Sequence, residues 1–244
     1  MNEAPRIERC VRSLAEVCAD ITVVDSHSTD ATREIAAASG ARVIERDWDG
    51  YAGQKNFAIQ SAPRPWVLLL DADEWLTPRL VEEIRALFAA GEPRDMDGFA
   101  IPRRNIFLGR ELQGGLLGHE RLVRLFRNDF RYLDMRVHES FALEGRRIGS
   151  LENGFLHEND LSLEAYRQKL ARYAQLVAQE KSRKGKSAHW WDLYLRPPFH
   201  FFKNYVLRAG FRDGREGLIL EKMNARYVRE KYARLRAIEE KPSD

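Results

Sequence analysis

Residues 66–74 constrain the fold of this 244-residue chain more than any other feature. A short apolar run there ends abruptly in Asp71 and Asp73. Flanking helical patterns indicate that the run is a buried parallel strand, and open α/β sheets bind ligands at the carboxyl ends of such strands. Because side chains at i and i+2 of an extended segment point the same way, both carboxylates are expected to reach one ligand. Paired hard oxygens suit Mg²⁺ or Mn²⁺ bridging a diphosphate, whereas two such aspartates in isolation are more often a simple acidic turn.

A second strand end upstream carries the same kind of polar residue. Residues 21–24 are β-rich, and Asp25 follows them before an alanine-rich helical stretch that Gly40 is well placed to end. Residues 42–44 then indicate another short strand. If both strand ends belong to one parallel sheet, Asp25 and Asp71 form a polar rim of the size that a nucleotide needs.

Four segments in the first third of the chain resemble, in order, the motifs of the family 2 glycosyltransferases, whose nucleotide-sugar-binding fold is called GT-A. They are residues 2–4 (Asn-Glu-Ala), residues 24–32, similar to "VDxxSxDxT", residues 53–58, similar to the family's basic helix start, and residues 70–74, similar to "LDADE". Each motif alone is weakly specific, but four in the family's order are not. The resemblance implies an α/β fold with a mainly parallel sheet flanked by helices.

Later segments extend the resemblance to nearly the whole chain and to one bacterial subgroup. The matching segments are residues 102–105, 107–110, 114–115, 123–127, 136–139, 196–198 and 210–214. The subgroup that they resemble adds glucose or a related hexose to the inner core of lipopolysaccharide. The resemblance therefore implies a UDP-sugar donor, with UDP-glucose expected, and a lipid-linked saccharide acceptor.

The resemblance also implies which residues bind the donor. Glu3, Asp25 and Lys55 would hold the uridine portion, and Ser28 lies in the same donor-binding segment. Asp71 would hold the ribose. The family members that follow this scheme invert the anomeric centre by direct displacement.

The metal site and the general base are assigned in the same way. Asp73 would bind Mg²⁺ or Mn²⁺, which neutralises the leaving diphosphate. His138 is a second candidate metal ligand, although a lone histidine is more often a hydrogen-bonded structural residue. For the base that deprotonates the acceptor hydroxyl we favour Glu120, with Glu139 as the rival. At the position of Glu120 the family usually has an aspartate, and the loop before it is usually one residue shorter. Both Glu120 and Glu139 therefore stay candidates.

The N-terminus departs from the family pattern. Family members begin with an apolar β-strand before the asparagine–glutamate pair, whereas Met1 here stands directly before Asn2. We therefore expect the first strand to be missing, and the chain to be a fragment or to have a misassigned start. Its absence would leave backbone groups of two neighbouring strands unpaired, at about 1–3 kcal/mol for each buried group.

The expected organisation is a catalytic domain followed by a helical extension. The GT-A domain is predicted over residues 1–160, with a donor half at about 1–101 and an acceptor half at about 102–160, and a basic helical extension over residues 161–244. No apolar run approaches the roughly 18 residues that a membrane-spanning helix needs. Cys10 and Cys18 are interpreted as core residues of a protein in a reducing compartment.

The extension carries a strong local charge. Residues 181–236 hold fifteen Lys/Arg and five Asp/Glu, a net charge of +10 in a chain whose total is +3. Basic residues there alternate with aromatic ones, which are Trp190, Trp191, Tyr194, Phe199, Phe201, Phe202 and Tyr205. This pattern is typical of attachment to an anionic membrane surface, and it predicts a cytoplasmic protein held peripherally on the cytoplasmic face of the inner membrane. Alternatively, the aromatic residues pack the extension onto the core. No recognised nucleic-acid-binding motif accompanies the charge, so nucleic acid is not expected as a partner.

Three alternative functions stay open at this point. Another family 2 transferase, acting on a different glycan or on a lipid phosphate, would share every core motif. A nucleotidyltransferase could also place carboxylates at a strand end, but no glycine-rich basic loop lies near the N-terminus. A catalytically inactive, membrane-associated scaffold is the third, and retention of Asp25, Asp71 and Asp73 argues against it.

Overall fold

The computed structural model describes residues 1–118, 120–133, 141, 143–158 and 162–239. They form two compact units. Unit 1 comprises residues 1–103 and 120–157, and unit 2 comprises residues 104–119 and the chain from residue 158 onward. Residues 104–119, which the sequence places in the acceptor half, thus fold with the C-terminal helices.

Unit 1 contains four helices, of which α4 begins at a side-chain cap. They are α1 (Ile7–Ala15), α2 (Thr32–Ala38), α3 (Tyr51–Gln60) and α4 (Pro78–Phe88). At the start of α4 the Thr77 hydroxyl accepts a hydrogen bond from the Leu80 N–H at 3.2 Å, and Pro78 occupies the first helical position, where its missing N–H costs nothing. Both cysteines are free thiols, and Cys10 is buried on the inner face of α1.

Most strands of unit 1 pair antiparallel. The strands of the chain are β1 (Thr22–Asp25), β2 (Arg42–Glu45), β3 (Trp66–Leu68), β4 (Glu74–Leu76), β5 (Gly98–Phe107), β6 (Arg110–Glu111), β7 (Glu120–Arg127), β8 (Ile148–Ser150) and β9 (Phe155–Glu158). The large sheet has the order β3-β7-β5-β9-β4, with β8 beside β5. Parallel ladders join β1 to β2 and β5 to β8, whereas β3–β7, β5–β7 and β4–β9 are antiparallel.

The α/β class is confirmed, but the expectation of a mainly parallel sheet is wrong for the described strands. An apolar run such as that of β3 marks a strand covered on both faces, and it does not encode the direction of its neighbour. The expected single sheet carrying both Asp25 and Asp71 is also wrong. β1 belongs to a two-stranded sheet and β3 to the larger one, and none of the described strands hydrogen-bonds to both.

A cavity of about 620 Å³ lies in unit 1 between α1, α4 and the residues of β1 and β3. Its lining is mostly apolar and includes Val17, Ile21, Val67, Leu69 and Phe88. In the described part of the chain, β1 pairs only with β2, and β3 pairs only with β7. Each of these two strands therefore has one edge without a β partner among the described strands, and residues of both strands line the cavity.

The main core of unit 1 fills the space between the large sheet and the two helices α1 and α4. Leu80 of α4, Ile101 of β5 and Phe155 of β9 are fully buried in it. The ring of Trp66 meets Phe88 edge-on, with centroids 5.6 Å apart. This packing holds the start of β3, the strand that leads into the turn where the candidate site lies.

Unit 2 is largely helical, which confirms the helical arm predicted from the sequence. It contains the β5–β6 hairpin end, α5 (Leu163–Arg183), α6 (Trp190–Tyr194), α7 (Arg196–Phe202), a π-helical turn (Lys203–Leu207), a 3₁₀ turn (Gly210–Asp213) and α8 (Gly214–Glu239). Ala178 of α5 packs with Val228, Tyr232 and Leu235 of α8 in an apolar cluster. None of the helices described here combines the length and apolar character that crossing a membrane requires.

Candidate active site

The centre of the site is the turn that joins β3 to β4. The Glu74 N–H donates to the Asp71 carbonyl oxygen at 2.9 Å, so the backbone turns at residues 71–74. The expectation that Asp71 and Asp73 share one side of an extended segment is therefore wrong. Apolar residues end at Leu70, and the polar residues that follow form a turn instead of prolonging the strand. The two carboxylates have different partners.

Asp71 is held by two cations from separate elements. Lys55 Nζ of α3 lies 3.2 Å from one carboxylate oxygen, and Arg124 Nη2 of β7 lies 2.9 Å from the other. Desolvation alone would raise the pKa of Asp71, but the two cations outweigh it and hold that pKa well below the usual range. Asp71 is therefore a fixed carboxylate at neutral pH. The structure brings together Lys55 and Asp71, both of which the sequence assigned to donor binding.

Behind Asp71 lies a fully buried ion pair that the sequence reasoning missed. Arg124 Nη2 also lies 2.8 Å from Glu74 Oε1, and Glu74 accepts the Asp71 N–H at 2.9 Å. Burial raises the pKa of Glu74 to about 7 despite the opposing effect of Arg124. The Nε and Nη1 atoms of Arg124 are buried without a hydrogen-bond partner among the described residues. The sequence offers one hint of this ion pair: Arg124 interrupts the apolar residues of β7.

Asp73 points to a different partner, His157 of β9. The His157 Nε2 atom lies 3.4 Å from a carboxylate oxygen of Asp73, and both side chains are mostly buried. Burial raises the pKa of Glu3, the ion pair with Arg6 at 3.0 Å opposes that rise, and the charge of Asp73 adds to it. His157 was not predicted, and the only hint is its place at the end of the short apolar pair Phe155 and Leu156. The predicted ligand His138 lies outside the described residues.

The first two sequence motifs are hydrogen-bonded to each other. Asp25 is buried at the end of β1 and accepts hydrogen bonds from the backbone N–H and the hydroxyl of Ser28. The Ser28 hydroxyl in turn accepts the Asn2 N–H at 2.9 Å, and the Glu3 N–H donates to the Thr32 hydroxyl at 2.8 Å. These bonds fix the N-terminal segment and thereby hold Glu3 within the influence of Asp73.

The favoured base candidate, Glu120, lies at the start of β7. Arg103 Nη2 and Nε of β5 donate to one Glu120 oxygen at 2.6 and 3.0 Å, and the two residues are cross-strand partners. Arg103 Nη1 also approaches Glu74 to 4.0 Å. Arg103 thus orients Glu120 and connects it with the Asp71 cluster. The rival candidate Glu139 lies outside the described residues.

The arrangement offers part of a metal site. No group of three metal-ligating side chains converges within the described ranges. Asp73 and His157 nevertheless present one oxygen and one nitrogen donor at the same point. Mg²⁺ and similar ions are often held by one or two protein groups and completed by water and substrate phosphates. The donor set therefore fits a divalent ion that a nucleotide diphosphate helps to bind.

Comparison with known proteins identifies the family of the chain. Residues 1–137 match the family described as "Glycosyl transferase family 2". The lipopolysaccharide core biosynthesis glycosyltransferase LpsC of Rhizobium meliloti (strain 1021) is 33% identical over 236 residues, which cover 93% of this chain and 86% of LpsC. A glycosyltransferase of Rickettsia bellii is 28% identical over 89% of this chain and 77% of its own length. The predicted resemblance to a lipopolysaccharide core subgroup is thereby confirmed.

A solved structure supports the fold. The mannosyltransferase PcManGT from Pyrobaculum calidifontis, in complex with GDP-Man and Mn²⁺, superimposes with a TM-score of 0.50 at 17% identity, covering 99% of this chain and 73% of that one. At this identity the likeness concerns the fold alone. The GT-A fold expected from the sequence is confirmed.

Proposed function

The chain belongs to glycosyl transferase family 2, and we propose that it transfers a hexose from UDP-glucose to a lipopolysaccharide core or a similar glycolipid acceptor. The observation that carries the proposal is the turn at residues 71–74, where Asp71 meets two cations and Asp73 meets His157. The similarity to LpsC over almost the whole chain supports lipopolysaccharide core as the acceptor class. The family membership argues against the nucleotidyltransferase alternative.

In this proposal the polar residues of unit 1 bind the donor. Asp71, kept ionised by Arg124 and Lys55, accepts hydrogen bonds from the ribose hydroxyls. Glu3, Asp25, Ser28 and Lys55 surround the uridine portion, as the family motifs imply. The Asp25–Ser28 hydrogen bonds keep that wall of the site rigid, which lowers the entropy that donor binding costs.

Asp73 and His157 are the residues proposed to hold Mg²⁺ or Mn²⁺. Such an ion, when bound, neutralises the charge of the departing diphosphate. Asp73 supplies the hard oxygen ligand that both ions prefer, and His157 lies beside it at 3.4 Å. His138, which lies outside the described residues, stays a further candidate ligand. The mutual position of the two side chains is fixed by the β4–β9 ladder, in which Glu74 pairs with His157.

Glu120 is proposed as the general base, with Glu139 kept as the rival. The carboxylate takes the proton from the acceptor hydroxyl as its oxygen attacks the anomeric carbon, and UDP leaves from the opposite face with inversion. Arg103 holds Glu120 in place through two charge-assisted hydrogen bonds. We further propose that the enzyme works on the cytoplasmic face of the inner membrane, where the basic extension meets anionic lipid.

The test is a donor and metal screen with purified protein. UDP-glucose and other nucleotide sugars are incubated with lipopolysaccharide of truncated core, with and without Mg²⁺ or Mn²⁺, and release of the nucleotide diphosphate and labelling of the acceptor are measured. We expect metal-dependent transfer from UDP-glucose that Asp73→Asn abolishes. The matched control Asp95→Asn removes an exposed carboxylate and is expected to leave turnover unchanged. Transfer to a different glycan or to a lipid phosphate, but not to lipopolysaccharide core, would contradict the acceptor assignment.

A further inference from the structure

Unit 2 exposes large apolar side chains in one short stretch. The described residues contain eighteen exposed large apolar side chains, and nine of them lie within residues 190–211, named here the aromatic segment. They are Trp190, Trp191, Tyr194, Leu195, Phe199, Phe202, Val206, Leu207 and Phe211. Single exposed apolar residues are normal on soluble proteins, whereas a contiguous group marks an interaction surface.

The spacing shows that this exposure belongs to one face. Leu195, Phe199, Phe202 and Val206 follow one another at intervals of four, three and four residues, which places them on one side of the helical backbone. The opposite side carries Pro197 and the buried Asn204, which is 1% exposed. The usual amphipathic arrangement is inverted here, because the apolar side chains face solvent.

Hydrogen bonds join the C-terminal end of the aromatic segment to the rest of unit 2. The Gly115 N–H donates to the Arg208 carbonyl oxygen at 2.9 Å. Just beyond the segment, the buried Asp213 carboxylate accepts the N–H groups of Gln113 and Gly114 at 2.8 and 3.0 Å. The approach is so close that a Cβ atom added at Gly114 would lie 2.3 Å from the Ala209 carbonyl oxygen. The exposed face therefore belongs to a segment that is held in place by contacts on its inner side.

The charged residues around the exposed apolar face indicate what kind of partner would cover it. Arg196, Lys203, Arg208 and Arg212 are exposed within or directly beside the aromatic segment. Its one acidic residue, Asp192, is 3% exposed and paired with Arg196. Apolar side chains rimmed by cations fit the anionic surface of a bilayer, where basic side chains reach the headgroups while their stems lie over apolar surface. A second copy of the chain would bring like charges together.

We propose that the aromatic segment lies in the plane of an anionic bilayer and inserts its exposed face to the boundary between headgroups and acyl chains. The inference deepens the proposed function and rests on it for the identity of the acceptor, which is lipid-linked. Aromatic and leucine side chains supply the binding free energy, and the rim of cations supplies the preference for anionic lipid. Charge alone therefore does not hold the enzyme at the membrane.

The test uses the full chain with vesicles of phosphatidylcholine, alone or mixed with phosphatidylglycerol. Binding is followed by flotation, and insertion by quenching of tryptophan fluorescence with lipids brominated in their acyl chains. We expect binding and quenching only with the anionic vesicles. The triple variant Leu195→Gln, Phe199→Gln, Phe202→Gln is expected to lower partitioning at least about tenfold. Lys203→Gln with Arg212→Gln is expected to lower it by about fivefold per charge and to weaken its salt dependence.

The matched control is Tyr173→Gln with Leu176→Gln, which removes comparably exposed apolar side chains from α5 and is expected to leave binding unchanged. The proposal is overturned if the parent binds no vesicle or if the triple variant binds as well as the parent. It is also overturned if the parent binds no lipid and sedimentation shows that the parent is a dimer whereas the triple variant is a monomer. The exposed face would then join two copies of the chain. Hydrolysis of UDP-glucose is measured alongside. If vesicles bind and no nucleotide sugar reacts, the proposed function fails and this inference stands.

Discussion

Soluble proteins usually bury apolar side chains and expose charged ones. The turn at residues 71–74 and the aromatic segment depart from this rule in opposite ways. At the turn, unit 1 buries the charged side chains of Glu74 and Arg124, which are 0% and 3% exposed. In the aromatic segment, unit 2 exposes side chains such as Phe199 and Leu207, which are 63% and 67% exposed. Buried charge costs free energy unless it is paired, and exposed apolar surface costs free energy unless something covers it. Arg124 and Glu74 are paired with each other, whereas nothing among the described residues covers the aromatic segment. Under the proposed function, the first departure fixes Asp71 for a nucleotide sugar, and the second leaves a face free for a lipid surface.

Replacing Glu120, the candidate base, tests the proposed catalytic role of unit 1. Of the predicted changes, this one has the largest expected effect. Glu120→Gln keeps the size of the side chain and removes its proton affinity, so we expect transfer to fall by about 10²–10⁴-fold with little change in donor affinity. Glu139→Gln is expected to cost less. Steady-state transfer and donor titrations separate the two parameters. If Glu139→Gln is the more damaging change, the role of base passes to Glu139.

Removing the buried cation tests whether the charges at the turn depend on one another. Arg124→Leu leaves Asp71 and Glu74 without their shared partner, and we expect the free energy of unfolding to fall by about 3–5 kcal/mol. Denaturant titration of the parent and the variant measures this. The control Arg85→Leu removes an exposed ion pair with Glu16 and is expected to cost no more than about 1 kcal/mol. Equal losses in the two variants would show that the buried network has no special importance for folding.

Two phenylalanines sharpen the contrast between buried and exposed apolar side chains. Phe155→Ala empties a fully buried position of unit 1 and is expected to lower the free energy of unfolding by about 3–5 kcal/mol. Phe199→Ala trims the exposed face, so we expect a change within about 0.5 kcal/mol. Thermal and denaturant unfolding compare the two variants. A large loss for Phe199→Ala would mean that this ring serves packing, as the alternative interpretation of the extension holds.

The sequence predicts those parts of the molecule that depend on local pattern. The helical extension and the family motifs were recognisable, because periodicity and motif order are properties of neighbouring residues. Membership of the family followed from four such motifs. Lys55 and Asp71 were assigned to one site for the same reason, and the structure shows them in contact.

The parts that escaped prediction depend on distant pairing. Arg124 reaches Asp71 across 53 residues because β7 returns antiparallel beside β3, a direction that the apolar run of β3 does not encode. His157 reaches Asp73 only through the β4–β9 ladder. The exposure of the aromatic segment was likewise undecided, since aromatic residues at helical spacing suit a core as well as a membrane face. Tertiary register, which no short motif contains, settles each of these cases.

Asp73 and His157 are the residues proposed to hold the divalent ion of the donor complex. The most direct measurement is a titration of Mn²⁺ into the protein in the presence of UDP, with bound ion followed by electron paramagnetic resonance. We expect His157→Ala to weaken Mn²⁺ binding at least about tenfold and Asp73→Asn to weaken it further, while the control His189→Ala, which changes a histidine of unit 2, leaves it unchanged. Undiminished Mn²⁺ binding by both Asp73→Asn and His157→Ala would contradict this proposal.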